Sequence, residues 1–162
     1  MAKKINSYLS FSIGTEFFAA NVSNVRNIIE YTQITKVPKM PEYMLGVINL
    51  RGQVLPVVDS GIKFGMEART ITTNTCILDV EVEIDNKPAF IGLLVDSVAE
   101  VMEVDEAQIK ESPQIGSSVR NKFITGVIPK DEKFIMILDM NQVFASNEVL
   151  NLSAITAQTE KA

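Results

Sequence analysis

No histidine occurs among the 162 residues. Its absence removes, in one stroke, the commonest general base, the usual activator of a nucleophile and the commonest zinc ligand. Any enzyme built on this chain would have to use other groups. Only one cysteine is present, Cys76, so an internal disulfide is excluded; the count fits a reducing compartment and a small apolar side chain within a strand. Tryptophan is missing, and no glycine-rich loop ends in Gly-Lys-Ser/Thr to cradle a phosphate. Apolar runs are short: Phe134-Ile135-Met136-Ile137-Leu138 is among the longest and is far below the length needed to cross a bilayer as a helix. Lys3 and Lys4 are not followed by an apolar stretch, so the amino terminus does not read as a signal peptide and a cytoplasmic location is expected. Dense basic clusters are lacking as well. Fifteen basic against 20 acidic residues leave a net charge of −5, which repels nucleic acid and anionic lipid, so the partners are expected to be proteins.

What the chain does contain is a repeat. Gly46-Val47-Ile48 opens a segment that runs through Arg51-Gly52 to Val57-Val58-Asp59. Eighty positions later Gly126-Val127-Ile128 is followed, at the same spacing, by Ile137-Leu138-Asp139. Glycine, apolar strand, polar turn and a second apolar strand form the grammar of a β-hairpin. Upstream, Val22, Val25 and Ile28 match Val98, Val101 and Val104 at a constant offset of seventy-six. Phe17-Phe18-Ala19 and Leu93-Leu94-Val95 precede the respective triplets. The offset grows by four between landmarks, which places a longer connection near Glu111-Ser112-Pro113-Gln114-Ile115-Gly116. Ordered landmarks of this kind point to an internal duplication and two barrel-like halves.

Strands are expected over Tyr8–Ile13 and Glu16–Ala20, joined at Gly14-Thr15, with Asn21 and Ser23 placed to cap a short helical turn. Val25–Glu30 and Ile34–Val37 read as extended, and Pro38 and Pro41 mark a loop over Lys39–Met44. Arg51-Gly52 forms a hairpin tip in which glycine supplies a positive φ. Cys76–Ile84 alternates, with Val80, Val82 and Ile84 on one face and Asp79, Glu81 and Glu83 on the other. Successive members of Asp79, Glu81, Glu83 and Asp85 stand roughly 6.5–7 Å apart, too far for a shared proton, and the group reads as a solvated or protective edge face. A second hairpin joins Phe123–Ile128 to Phe134–Leu138 through a turn at Pro129–Lys133. Asp59 and Asp139 end strands and read as caps. Helical spacing begins after Asp139 with Met140, Val143 and Phe144, followed by Val149, Leu150 and Leu152. Arg51 is a cation at a tip, easily presented to a partner, and arginine is enriched at interface hot spots. Val25, Ile28 and Val101 fit core periodicity, and nothing local separates a core valine from one lining a groove.

The order Val47-Ile48-Asn49-Leu50-Arg51-Gly52, Leu55-Pro56-Val57-Val58-Asp59, Ile62-Lys63-Phe64-Gly65, Gly92-Leu93-Leu94-Val95-Asp96-Ser97-Val98 and Ile124-Thr125-Gly126-Val127 resembles CheW-type chemotaxis coupling proteins. The likeness spans roughly Tyr8 to Leu150. It implies a mainly β fold: two side-by-side five-stranded SH3-like β-barrels with a hydrophobic seam, short helical turns and a carboxy-terminal helix. Residues 1–152 would form a single CheW-like domain of two interleaved halves, 15–75 and 8–14 plus 76–152, with 153–162 a polar flexible tail. The resemblance further implies a non-catalytic adaptor without cofactor or metal, joining the regulatory domain of the histidine kinase CheA to the cytoplasmic tips of methyl-accepting chemoreceptors. Recruitment to membrane-associated receptor arrays and mixed rings with the kinase belong to the same implication, without nucleic acid binding or membrane insertion. Carried over by position, the receptor-facing groove includes Val25, Asn27, Ile28, Gly46, Arg51, Cys76 and Val101. Two departures stand out. The family often has glutamate where this chain has Asn27, which leaves Arg51 either bonded to that amide or free for a partner, and a Leu-Arg pair where it has Ser60-Gly61. The alternatives are a scaffold of a non-chemotactic chemosensory pathway and, from another class, a small-barrel ligand-binding protein or enzyme.

Overall fold

The computed structural model describes residues 5–40, 43–59, 61, 70–84, 86–110 and 124–144. The expected connection at 111–116, the motif at 62–65, Ser60, Asp85 and everything from 145 onward, including the tail, lie outside the described residues.

Among the described residues, ten strands carry the fold. β1 (Ile5–Ile13) and β2 (Glu16–Asn21) form a tight hairpin. A 3-10 turn, Val22–Asn24, follows, capped by Asn21 Oδ1 accepting from the Ser23 N–H at 2.9 Å. β3 (Val25–Glu30), β4 (Met44–Leu50), β5 (Gln53–Asp59), β6 (Cys76–Ile84), β7 (Lys87–Val95) and β8 (Ser97–Asp105) come next. A second 3-10 turn, Glu106–Gln108, precedes β9 (Ile124–Lys130) and β10 (Lys133–Leu138). Asp139 caps α1 (Met140–Val143), accepting from the Asn141 and Gln142 N–H groups at 3.0 and 3.3 Å; this turn is the described part of the expected helix. Asp59 does the same for the Gly61 N–H at 2.8 Å.

The strands make two five-stranded sheets with one topology: β8-β1-β2-β10-β9 in sheet I and β3-β6-β7-β5-β4 in sheet II. Each contains two antiparallel hairpins joined by one parallel pairing, β2 with β10 and β5 with β7. The duplication read from the sequence is therefore real at the level of strand order. The division of the chain differs from the expected halves: β2 stays with β1 in sheet I, and β6 and β7 stay with β3–β5 in sheet II. The cause is hairpin geometry, since a tight turn keeps its two strands paired and the chain changes sheet only after β2 and again after β7.

Register also corrects the upstream offset. Val25 faces Val80 and Ile28 faces Leu78, while Val98 faces Phe11 and Val101 faces Leu9. Val25 thus corresponds to Val98 and Ile28 to Val101, an offset of seventy-three. Valine and isoleucine recur every third position in both segments, so a slip of one step matches equally well in sequence. The downstream offset of eighty holds, because Val47 opposite Pro56 recurs as Val127 opposite Met136.

A single bridge joins the two edges of each sheet. Beyond β3, Thr35 pairs with Val47 of β4 through hydrogen bonds of 2.9 and 2.8 Å. Beyond β8, Lys110 pairs with Val127 of β9 through bonds of 2.8 and 2.9 Å. Of the extended segment expected at Ile34–Val37, only Thr35 pairs. The glycine before each valine makes room for the crossing chain: a Cβ on Gly46 would lie 2.1 Å from the Thr35 oxygen, and one on Gly126 would lie 2.4 Å from Ile109 Cγ2. The repeated Gly-Val-Ile is the signature of this closure.

Three apolar clusters follow. Tyr8, Ala19, Val104, Ile128, Ile135 and Ile137 fill sheet I, and Ile48, Leu55, Val57, Ile77 and Leu94 fill sheet II. Between the sheets runs a larger shared seam that includes Phe11, Phe18, Leu78, Val80, Leu93, Met140 and Phe144. The second hairpin turns more tightly than expected. Lys130 pairs with Lys133 and Pro129 with Phe134, so Asp131 and Glu132 alone form the turn, at φ 48° and 63°. Pro129 is tolerated because β9 is a sheet edge.

Replacing Gly46 by alanine should destabilise the fold by about 2–4 kcal/mol, because its φ of +146° and the nearby Thr35 carbonyl both oppose a side chain. Urea denaturation checks this, and a loss below about 0.5 kcal/mol would mean that closure is dispensable.

Candidate functional site

β3 and β8 are corresponding edges, and both are bulged. Two residues on each span, Arg26-Asn27 on β3 and Ala99-Glu100 on β8, lie where the neighbouring strand supplies one, Asp79 or Ser10. A bulge bends and twists the edge and re-aims its side chains. Just after it, Ile28 is 52% exposed and Val101 is 60% exposed. Two large apolar side chains thus stand at matched places on the two edges.

The neighbouring strands treat the bulge differently. In sheet I the Ser10 hydroxyl donates to the Glu100 carbonyl at 3.1 Å and accepts from the Glu100 N–H at 3.2 Å. In sheet II Asp79 is fully buried, against the expectation of a solvated face. Its Oδ2 accepts from Asn27 Nδ2 at 2.9 Å and lies 3.7 Å from Arg26 Nε, while Oδ1 has no hydrogen-bond partner among the described residues. The Arg26 guanidinium lies 4.0 Å from the Phe90 ring centroid. Glu81 and Glu83, on the same face, are exposed as expected. The difference is that β3 covers β6 only as far as Val80, so Asp79 is flanked on both sides and Glu81 on one. The cue available in sequence was Ile77, an apolar residue two places earlier on the same face.

Of the residues singled out beforehand, Val25, Asn27, Ile28 and Cys76 come together on β3 and β6, with Cys76 facing Glu30. Val25 and Cys76 are half-buried and pack against the seam. Val101 stands on the corresponding edge of the other sheet. Gly46 is buried at the closure, where its part is structural. Arg51 is exposed in the two-residue turn between β4 and β5, at φ 52° beside Gly52 at 86°, and Asn49 Oδ1 accepts from the Gly52 N–H at 2.8 Å. Positive φ at both positions matches the twist of the flanking strands, so the tip requires more of Arg51 than the sequence indicated. The Asn27 amide is committed to Asp79, and among the described residues none bonds to Arg51. Nor, among them, is any group of three acidic or cysteine side chains placed to hold a metal ion.

Residues 7–148 match the CheW-like domain family. The chain belongs to that family. It is 36% identical over 140 residues to the chemotaxis protein CheW of Rhizobium meliloti, covering 86% of this chain and 88% of that one. It is 33% identical over 142 residues to the CheW of Thermotoga maritima, covering 83% and 85%. Among solved structures it resembles the scaffolding protein TtCheW from Thermoanaerobacter tengcongensis, with a TM-score of 0.77 and 30% identity, covering 90% of this chain and 96% of the other. The twinned sheets are the CheW architecture, and the bulged edges and the Arg51 tip are features of it in this member.

The thiol of Cys76 is pushed up from the ordinary cysteine range by partial burial and, secondarily, by the Glu30 charge facing it. Both effects disfavour the thiolate, so alkylation near neutral pH should be slower than for an unstructured peptide thiol and should accelerate as pH rises past the usual thiol range. Glu30→Gln should move that acceleration to lower pH; an unchanged profile would show that the carboxylate has no influence.

Proposed function

We propose that this CheW-family chain is a non-catalytic adaptor of chemotaxis, binding the regulatory domain of the kinase CheA and the cytoplasmic tips of chemoreceptors at once. The observation that carries this is the match of residues 7–148 to the CheW-like domain together with the shared two-sheet architecture. No chemistry is required of such a protein. It acts by binding one partner better in one arrangement of the other, and a coupling of about 1–3 kcal/mol is enough to change kinase occupancy several-fold or more.

Three surface features support the reading. Ile28 and Val101 offer apolar contact on exposed edges, of the kind that accepts a helix presenting side chains at helical spacing. Arg51 offers a cation at a two-residue turn, with no partner among the described residues. The half-buried Val25 and Cys76 connect β3 to the seam, so pressure on that edge is felt by both sheets. Val25, Asn27, Ile28, Cys76 and Val101 remain in the proposed receptor-facing set, while Gly46 lies at the closure of sheet II, under Thr35. Among the described residues no helix is long and apolar enough to cross a membrane. Location at receptor arrays would therefore come through the partners, and mixed rings with the kinase would follow from binding it on two faces.

Calorimetric titration against the kinase regulatory domain and against a receptor cytoplasmic fragment tests the proposal. Saturable binding to both is expected, and binding to neither by the folded protein would overturn it. Arg51→Glu, which keeps a side chain of similar backbone preference at φ 52°, should weaken receptor binding about tenfold while leaving the melting temperature nearly unchanged. Equal losses in stability and binding would make Arg51 a structural residue.

A further inference from the structure

A buried carboxylate with one oxygen that finds no partner among the described residues is a costly way to build a strand. Sheet I shows that this fold has a cheaper one. At the corresponding bulge Ser10 fills the place with a hydroxyl that meets only the Glu100 backbone, donating to its carbonyl and accepting from its N–H. Sheet II places Asp79 there instead, and the carboxylate reaches side chains rather than backbone. Both belong to the edge strand β3. The Asn27 amide is tied to Oδ2, and the Arg26 guanidinium is held between Oδ2 and the face of Phe90. The next residue, Ile28, is left exposed beside two polar side chains that are already committed.

We propose that Asp79 is a positioning residue for the partner-binding edge: it holds Arg26 and Asn27 against the sheet so that Ile28 meets a chemoreceptor helix without a competing cation. The inference rests on the adaptor reading above. It separates two jobs that a buried charge can do. If Asp79 served the fold, its loss would unravel β3; if it serves the edge, its loss leaves the fold intact and changes what the edge presents. Arg26 is the transmitting group, because its side chain is already 35% exposed and, with the carboxylate gone, the Phe90 ring is the remaining contact described for the guanidinium.

The test uses the full chain as wild type, Asp79→Ser, Arg26→Gln and the double variant. Each is melted, then titrated calorimetrically against a receptor cytoplasmic fragment at two salt concentrations and against the kinase regulatory domain. Asp79→Ser should melt at or above the wild-type temperature, since it installs the arrangement of sheet I. It should bind the receptor fragment about tenfold more weakly, with an altered salt dependence from the released guanidinium. Adding Arg26→Gln should restore the wild-type salt dependence. Kinase binding should be unchanged. Unfolding of Asp79→Ser, receptor affinity unaltered at both salt concentrations, or a salt dependence that Arg26→Gln does not restore would each overturn the inference while leaving the adaptor reading in place. Failure of the wild type to bind either partner would instead overturn the adaptor reading and this inference with it.

Discussion

Closure of each curled sheet by one bridging residue is the constraint on which the rest of this molecule depends. An open five-stranded sheet has two edges, and each edge is a row of unpaired backbone groups. Thr35 and Lys110 carry the chain from one edge strand onto the other and pair it there. That crossing brings backbone over backbone, which is why a glycine precedes Val47 and Val127. Once the edges meet, each sheet has an inside, and Ile77 and Leu94 in one and Tyr8 and Ile137 in the other can be buried there.

Closure also determines which surfaces remain for binding. With the interiors filled, the outer faces of β1, β2, β6 and β7 are turned toward each other and make the seam. Burying both sides of β7 explains its near-continuous apolar run from Ile91 to Val95, where a one-sided strand would alternate. The seam holds more buried residues than either interior, so the two sheets support each other and the half-molecules share their largest core. The exposed Ile28 and Val101 and the Arg51 tip then lie at edges and turns.

Much of this was legible in the sequence. The boundaries of Cys76–Ile84 could be read from alternation, and the paired hairpins from their glycines and closing aspartates. Other features were not. A three-residue recurrence of valine and isoleucine concealed the true match of Ile28 with Val101, because a slip of one step matches equally well and only the pairing register decides between them. Asp79 was hidden by its neighbours: Glu81 and Glu83 gave its face a solvated look, and only the reach of β3 along β6 decides where solvent begins. Gly46 was assigned to a binding groove by resemblance, and nothing in the sequence signalled that Thr35 crosses over it or that its φ is +146°. In each case the missing information was which strand lies alongside.

The parallel pairing of β2 with β10 has a consequence for how the chain is made. Phe17 must find Ile135 as its partner, and 117 of the 162 residues lie between them. Contacts of such long range are slow to form, because the entropy of closing a large loop is lost before any contact compensates. During synthesis the first hairpin therefore emerges early and waits, with the flank of β2 that β10 will cover still unpaired, until residues 133–138 have left the ribosome. Sheet II, assembled from one continuous stretch between Val25 and Val95, can form in that interval and offer the hairpin an apolar face to rest against.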